Sequence, residues 1–208
     1  MKVTAKALNK GRNVTSSGTL GYNSSGGMMI THFDSPKDNW IFLNSKGELR
    51  IYDPGSNSVI IEPNSGATSK ANYMYYFLNG QTGDMGLKAL GFSVTDSRFE
   101  DGLVITTWMP PSVMAGMMGK VELVHENYRP IYTGWYDLHE QCLLKTYYSD
   151  YTLIGNIAFP QTVTEIRFAQ GDSTIEKKTY SDIKLNSESE QLLFDFRIPQ
   201  NAKIITHN

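Results

Sequence analysis

Four histidines and several aspartates are the residues of this sequence whose types could hold a metal ion or carry acid–base chemistry. Histidine is followed by glutamate at His125-Glu126 and at His139-Glu140, and neither pair continues into the H-E-x-x-H spacing of a helical zinc site. A zinc site would therefore need ligands from separate strands. We expect no catalytic metal and no cofactor, with the histidines lying at strand ends and in turns.

Four aspartates could pair in space as general acid and general base. They are Asp53, Asp96, Asp101 and Asp137. Each falls at an expected strand end, where a carboxylate commonly caps a turn. The sequence has no G-x-S-x-G elbow, no phosphate-binding loop and no dinucleotide fingerprint. We therefore expect that the protein is not an enzyme, and a hydrolase built on these carboxylates is the enzymatic alternative.

Charge and cysteine content exclude several classes of protein. The sequence has 19 basic and 21 acidic residues among 208, a net charge of −2, with no run of like charges. A nucleic-acid surface would need a basic stripe, so we expect no nucleic-acid partner. The single cysteine, Cys142, cannot form an internal disulfide, which excludes a disulfide-stapled domain.

Large flexible and aromatic side chains are the compositional anomaly of the chain. Twelve Tyr, nine Phe and three Trp are joined by nine Met. Four methionines, Met109, Met114, Met117 and Met118, lie within ten residues and alternate with Pro and Gly. Methionine adapts to apolar partners of variable shape, so the 110–118 segment is interpreted as a flexible lid. Tyrosine-rich faces could also stack sugars, which keeps a glycan- or protein-binding β module as the alternative function.

Short alternating runs between turn residues predict an antiparallel sheet. Strands are expected near residues 2–9, 13–22, 27–33, 39–44, 47–53, 57–62, 91–99, 102–109, 119–126, 129–138, 141–149, 157–169 and 173–185. One or two short helices are expected within 70–90, and another helical turn within 188–194. The late hairpin of 173–185 is largely polar, so Tyr180 is expected in water. Without a linker or repeat, one domain spanning 1–208 is the simplest organisation.

Two early strands, 27–33 and 39–44, are apolar on both of their faces. In the first, Met28 and Ile30 lie opposite Met29 and Phe33. Trp40 and Phe42 share one face of the 39–44 strand, while Ile41 and Leu43 share the other. An antiparallel sheet with one solvated face would show a single apolar face. We therefore expect a helix, a second layer or a ligand on each side of these strands.

Three stretches, in the same order, resemble the periplasmic outer-membrane lipoprotein carriers of the LolA-like family and their LolB-like receptor relatives. The stretches are Gly18–Tyr22 with Met28–Ile30, Pro36 and Trp40–Pro54, then Ile157–Ile166, then Tyr180–Asn186 with Phe194–Pro199. The resemblance covers most of the chain. It departs from the family at the start, where the helix before the first strand is missing. It also departs at Asn23–Gly26, where carriers of the proteobacterial type have an arginine that latches the lid.

The resemblance implies a mainly β fold, a single curved antiparallel sheet of about eleven strands that forms an unclosed β-barrel with short helices as a lid. It implies one LolA-like domain over 1–208 that binds acyl chains of lipoproteins, or another apolar ligand, as a carrier or a lipid sensor. The implied location is the periplasm, with a signal peptide not present in this sequence. The implied partners are an inner-membrane release complex and an outer-membrane receptor.

Apolar residues of the predicted strands are assigned to the cavity that would receive the ligand. The predicted lining is Met28, Ile30, Trp40, Phe42, Leu49, Ile51, Ile105, Trp108 and Met109. The predicted lid is Phe77, Met114, Met117 and Met118. An aspartate at Trp40 or Phe42 is expected to weaken acyl binding more than one at Tyr180, because an unpaired charge is costly in an apolar cavity.

Overall fold

The computed structural model describes residues 1–63, 73–169, 171–185 and 191–205. In this part of the chain it has fourteen strands and two short helices. The strands are β1 (Lys2–Asn9), β2 (Arg12–Asn23), β3 (Met28–Ser35), β4 (Asn39–Leu43), β5 (Leu49–Asp53), β6 (Ser58–Glu62), β7 (Ser93–Glu100), β8 (Leu103–Met109), β9 (Val121–Glu126), β10 (Arg129–Tyr136), β11 (Cys142–Ile154), β12 (Ile157–Ala169), β13 (Asp172–Ser181) and β14 (Lys203–Ile205). The helices are α1 (Tyr73–Leu78) and α2 (Gln191–Asp195).

All fourteen strands belong to one hydrogen-bonded sheet. Its order is β14-β6-β5-β4-β3-β2-β1-β13-β12-β11-β10-β9-β8-β7. The strands β14 and β7 are the two ends of this order, so hydrogen bonds do not close the sheet. The predictions of a mainly β fold and of one unclosed sheet are confirmed, and the strands predicted at 39–44, 47–53, 157–169 and 173–185 all belong to it.

The sheet differs from the expected one in two details. It has fourteen strands where the resemblance implied about eleven. The pairings from β2 to β6 and from β7 to β13 are antiparallel, but β14 pairs in parallel with β6, with Ile204 opposite Val59. Strand β14 has only three residues, which is too short to show the alternation of apolar and polar residues that predicts a strand. Its position depends on a contact distant in sequence, the hydrogen bond from Lys203 N to Asn57 O at 2.8 Å.

The helices are shorter than the segments predicted to contain them. Helix α1 lies within 70–90, and the described residues that follow it, up to β7, form turns. Helix α2 overlaps the predicted helical turn of 188–194. Residues 70–72 and 188–190 of these predictions lie outside the described residues. The 110–118 segment is a series of turns between β8 and β9, as expected, with Met114 N donating to Pro111 O at 2.8 Å.

Internal contacts divide the chain into two compact units. Unit 1 comprises Met1–Ala5, Thr15–Tyr75 and Tyr180–Asn208, and unit 2 comprises Lys6–Val14 and Tyr76–Thr179. Unit 1 therefore contains β3 to β6, α2 and β14, and unit 2 contains β7 to β12. The prediction of one domain over 1–208 stays a prediction.

Gly18 allows β2 and β3 to approach closely at a register shift in unit 1. The shift falls between Ser17 and Gly18. A Cβ at position 18 would lie 2.0 Å from His32 O and 2.7 Å from Phe33 Cα, both backbone atoms. A side chain at this position would have to displace the neighbouring strand.

We expect Gly18→Ala to lower the free energy of unfolding by about 2 kcal/mol, because the backbone of β3 has little room to move. Urea unfolding followed by circular dichroism measures this change. The matched control is Gly83→Ala, where a Cβ would meet nothing within 4 Å. A Gly18 variant as stable as the Gly83 variant would contradict the prediction.

Candidate functional site

The register of β3 to β5 separates the apolar residues of unit 1 into two faces. Phe42 is paired with Ile30 on β3 and with Arg50 on β5. Ile41 is paired with Ile51, and Leu43 with Leu49. Directly paired residues share a face, and successive residues alternate.

We call the two surfaces the aromatic face and the aliphatic face. The aromatic face is formed by Met28, Ile30, Trp40, Phe42, Arg50 and Tyr52. The aliphatic face is formed by Leu20, Met29, Ile41, Leu43, Leu49, Ile51 and Ile60. The lining residues predicted in this unit do not share one face. Arg50 is paired with Phe42 and therefore lies on the same face as Phe42. Leu49 and Ile51 are the neighbours of Arg50 in β5, so their side chains lie on the opposite face.

The aromatic face is covered by residues 193–198, which we call the C-terminal segment. The ring of Phe196 stacks on that of Trp40 with centroids 3.8 Å apart, and His32 stacks on Trp40 at 3.9 Å. Leu193 of α2 joins the same buried cluster. A Cβ at Gly21 would lie 3.0 Å from the Phe194 ring, so this glycine makes room for the segment. This layer explains why β4 is apolar on the face that carries Trp40.

A pocket of about 450 Å³ opens beside this cluster in unit 1. It is lined by Met28, Ile30, Phe42, Asn44, Glu48, Arg50, Phe194, Phe196, Arg197 and Ile198. Three of the predicted lining residues, Met28, Ile30 and Phe42, are among these, and Trp40 packs in the adjoining cluster. The pocket combines apolar walls with four polar side chains, so it suits a ligand that is itself amphiphilic.

Sequence reasoning missed the contribution of residues 194–198 to this pocket. The segment reads Phe-Asp-Phe-Arg-Ile, in which apolar and charged residues alternate. Alternation of this kind predicts an extended segment with one buried face. This holds for 196–198, whereas Phe194 and Asp195 form the end of α2. The pattern could have identified Phe194, Phe196 and Ile198 as a covering layer.

The aliphatic face has a different chemical character. Ile41, Ile51 and Ile60 form a row across three neighbouring strands, and all three are half-buried. Ionisable side chains on this side stand only at the strand ends, as Asp53 and Glu62 do. Between their ends, β4 to β6 carry no polar side chain on this side, whereas on β3 the row continues as Thr31, which is paired with Ile41.

Tyr75, in the part of α1 that belongs to unit 1, contacts a residue on the aliphatic side. Tyr22 is paired with Met29 of the aliphatic face. The ring of Tyr75 in α1 meets the Tyr22 ring edge-on, with centroids 6.4 Å apart. The C-terminal segment therefore covers the face of β4 that carries Trp40. The contact of Tyr75 is with β2, so a covering element on the other face of β4 stays a prediction.

The predicted lining residues of unit 2 are also divided between two faces. Trp108 is buried in a cluster with Leu87, Phe92, Val121 and Leu123. Ile105 and Met109 lie on the opposite face of β8, because they are odd numbers of residues from Trp108. Met109 is correspondingly exposed. The structure thus brings only Trp108 of these three into the cluster.

The predicted lid residues occupy two environments in unit 2. Met114 and Met118 pack against the cluster around Trp108, whereas Met117 is 74% exposed. Phe77 is fully buried, with its ring 5.2 Å from that of Tyr148 and 6.1 Å from that of Phe159. Their assignment as a lid stays a prediction.

One further sequence expectation is wrong. Tyr180 was expected in water on the polar late hairpin, but it is 2% exposed. Its hydroxyl forms a hydrogen bond with the hydroxyl of Tyr73 in α1 at 2.5 Å. This hydrogen bond places the start of α1 against this position of β13, whose other residues are half-buried or exposed.

Three of the four candidate acid–base residues, Asp53, Asp101 and Asp137, lie at strand ends or in turns, as expected, but Asp96 lies within β7, paired with Thr107. Asp137 accepts hydrogen bonds from the backbone N–H groups of His139 and Gln141, both at 2.8 Å. Hydrogen bonds from Lys37 and then from Ser56 lower the pKa of Asp53, which also caps its turn. These two aspartates are turn caps, as expected.

No metal site is visible in the described part of the chain. His125 is hydrogen-bonded through Nε2 to Thr82 O at 3.0 Å. Within residues 1–63, 73–169, 171–185 and 191–205, no three His, Cys, Asp or Glu side chains come together in a group that could hold a metal ion. Neither described helix is long enough and apolar enough to cross a membrane.

Comparison with known proteins shows the fold. No protein-family profile matches the chain, and no curated protein sequence matches it. Three solved structures superpose on more than nine-tenths of it. They are a LolA superfamily protein from Nitrosomonas europaea (14% identity, 92% of this chain and 87% of that one, TM-score 0.59), an outer membrane lipoprotein-sorting protein domain from Vibrio parahaemolyticus (15% identity, 92% and 90%, TM-score 0.60) and a DUF1329 family protein from Desulfovibrio piger (15% identity, 91% and 87%, TM-score 0.55). The resemblance noted in the sequence is confirmed at the level of fold.

Proposed function

Starting from a fold shared with LolA superfamily proteins, we propose that this protein binds acyl chains of lipids on the aliphatic face of unit 1. The observation that carries the proposal is the composition of that face. The row Ile41, Ile51 and Ile60 is flanked by Leu43, paired with Leu49, without an ionisable side chain between the strand ends. Across β4 to β6, a surface of this kind accepts a hydrocarbon chain without leaving a polar side chain unpaired.

The aromatic face is a poorer site for a long acyl chain. Its centre is filled by the stacked rings of Trp40 and Phe196, and Arg50 interrupts the apolar surface of β5. Burying each methylene contributes about 0.8 kcal/mol, and burying a guanidinium beside hydrocarbon would offset several of them. The aliphatic face gives the same gain without that cost.

The proposed role is that of a carrier without catalysis. One structural neighbour is described as an outer membrane lipoprotein-sorting protein domain, which supports lipoprotein acyl chains as the cargo. The location would then be the periplasm. An inner-membrane complex would supply the cargo and an outer-membrane receptor would accept it, since release from an apolar site requires an equally apolar acceptor.

Binding to the aliphatic face should depend steeply on chain length. We expect the affinity for straight-chain fatty alcohols to rise by up to about fourfold for each added methylene until the face is filled. Neutral alcohols are the chosen ligands because their binding owes nothing to the arginines of the other face. Displacement of a fluorescent apolar dye measures the series below the solubility limit of each alcohol.

A glycan-binding module would respond differently, because stacking on sugars does not depend on alkyl length. Oligosaccharides tested in the same displacement assay provide the comparison. If the folded protein ignores alcohols of every length and binds oligosaccharides, the acyl-chain proposal fails and the glycan alternative replaces it.

A further inference from the structure

Arg50 has an unusual position in the sheet of unit 1. It stands on the aromatic face, paired with Phe42 on β4 and with Ile61 on β6. Its Nε donates a hydrogen bond to Glu48 Oε1, and the side chain is 48% exposed at the pocket. A charge in the middle of an apolar face destabilises the fold unless it is solvated or paired. Arg50 meets both conditions, since it is half-exposed and paired with Glu48, so the sheet tolerates this charge at the pocket.

Arg197 brings a second guanidinium to the same pocket. Its Nη1 donates to Phe194 O at 2.5 Å and to Phe196 O at 3.0 Å. Two backbone carbonyls thus fix the group through one nitrogen. Among the described residues, the ion pair at this pocket joins Arg50 to Glu48 and does not include Arg197.

The pocket therefore combines an excess of positive charge with apolar walls. Two guanidinium groups and one carboxylate, that of Glu48, line its volume of about 450 Å³. Asn44 Nδ2 lies 3.4 Å from Glu48 Oε2 and holds this carboxylate on the Asn44 side of the pocket. Phe42, Phe194 and Phe196 supply aromatic walls. The volume is within the range of about 300–1,000 Å³ in which proteins bind small molecules.

We propose that this pocket is a second binding site, which takes a small anion with an apolar, preferably aromatic, body. The ring of the ligand packs against the phenylalanines, where offset or edge-to-face contacts are favourable. Its carboxylate or phosphate accepts hydrogen bonds from Arg50 and Arg197, whose planar guanidinium groups match the geometry of these anions. Glu48 lowers the affinity for anions and so limits the site to ligands that also fill the apolar volume.

This site is independent of the proposed acyl-chain function. It lies on the aromatic face, opposite the row Ile41, Ile51 and Ile60. A ligand in the pocket makes no use of the aliphatic face. Failure of either proposal therefore leaves the other intact.

The first test compares naphthoate with naphthylmethanol, its neutral analogue, by isothermal titration calorimetry. We expect naphthoate to bind about tenfold more tightly, and this advantage to shrink in high salt because exposed charge pairs are screened. Inorganic phosphate alone should bind at least tenfold more weakly than naphthyl phosphate, since it leaves the apolar walls uncovered. Equal affinities for naphthoate and naphthylmethanol, or no binding of either, would overturn the proposal.

The second test changes the charges of the pocket one at a time. Arg50→Met and Arg197→Met should each weaken naphthoate binding about three- to fivefold and leave naphthylmethanol binding unchanged. Glu48→Gln should strengthen naphthoate binding by a similar factor, an effect opposite in sign that damage to the fold would not produce. The control is Arg98→Met in unit 2, which removes an arginine paired with Asp96 and Glu100 and should change neither affinity. Unaltered naphthoate binding in both pocket arginine variants would contradict the assignment.

Discussion

Ile51→Asp should reduce the affinity for a long-chain fatty alcohol about 100-fold, which corresponds to about 2.7 kcal/mol. Position 51 lies between Ile41 and Ile60 in the row that crosses the aliphatic face. A bound alkyl chain would remove the new carboxylate from water without giving it a partner. Dye displacement with the wild type and the variant measures the ratio.

Phe42→Asp is the matched comparison because Phe42 stands on the neighbouring strand and faces the other way. The Phe42→Asp substitution should weaken naphthoate binding and leave the affinity for fatty alcohols within about twofold of the wild-type value. This reverses the expectation from sequence, in which Phe42 and Ile51 lined one cavity. Retained naphthoate binding in Ile51→Asp also shows that unit 1 is folded. If Phe42→Asp abolishes alcohol binding and Ile51→Asp does not, the acyl chain lies on the aromatic face instead.

The strands were predictable because turn chemistry marks their ends. Asn127 and Tyr128, both at positive φ, join β9 to β10, and Asp101 with Gly102 does the same between β7 and β8. Asn, Asp and Gly favour the left-handed backbone of tight turns, so Asn127, Asp101 and Gly102 mark these turns in the sequence. The thirteen predicted strands accordingly correspond to β1 to β13.

The membership of the site was not predictable in the same way. Alternation shows that Trp40 and Ile41 face opposite sides, but it does not show whether Ile51 is paired with Ile41 or with a neighbour of Ile41. A shift of one residue in the pairing transfers every side chain of a strand to the other face. Register depends on hydrogen bonds between strands, so the division into aromatic and aliphatic faces required the structure.

Contacts between residues far apart in the sequence account for the remaining differences. Tyr180 looked solvated because its own strand is polar, yet Tyr73, more than a hundred residues away, covers it. The short strand β14 pairs with β6 across a similar separation. Local patterns contain no information on such partners.

Phe77→Ala should lower the free energy of unfolding by about 3–5 kcal/mol, because the substitution leaves a cavity where a fully buried ring now packs. The rings of Tyr148, Tyr151 and Phe159 surround Phe77 in unit 2 at centroid distances of 5.2 to 6.1 Å. In a protein of this size, each kcal/mol lowers Tm by about 2–4 °C. Differential scanning calorimetry measures the shift directly.

Phe99→Ala removes the same side chain from an exposed site and is the control. Phe99 is 72% exposed on β7, whereas Phe77 is 0% exposed. The free energy of unfolding of the control should therefore lie within about 0.5 kcal/mol of the wild-type value.

The comparison also separates two roles for Phe77, since a movable lid residue has to leave its contacts when ligand enters. If Phe77→Ala is as stable as Phe99→Ala but changes the rate at which fatty alcohols bind, Phe77 is a lid residue. A large loss of stability would show instead that Phe77 is a core residue of unit 2.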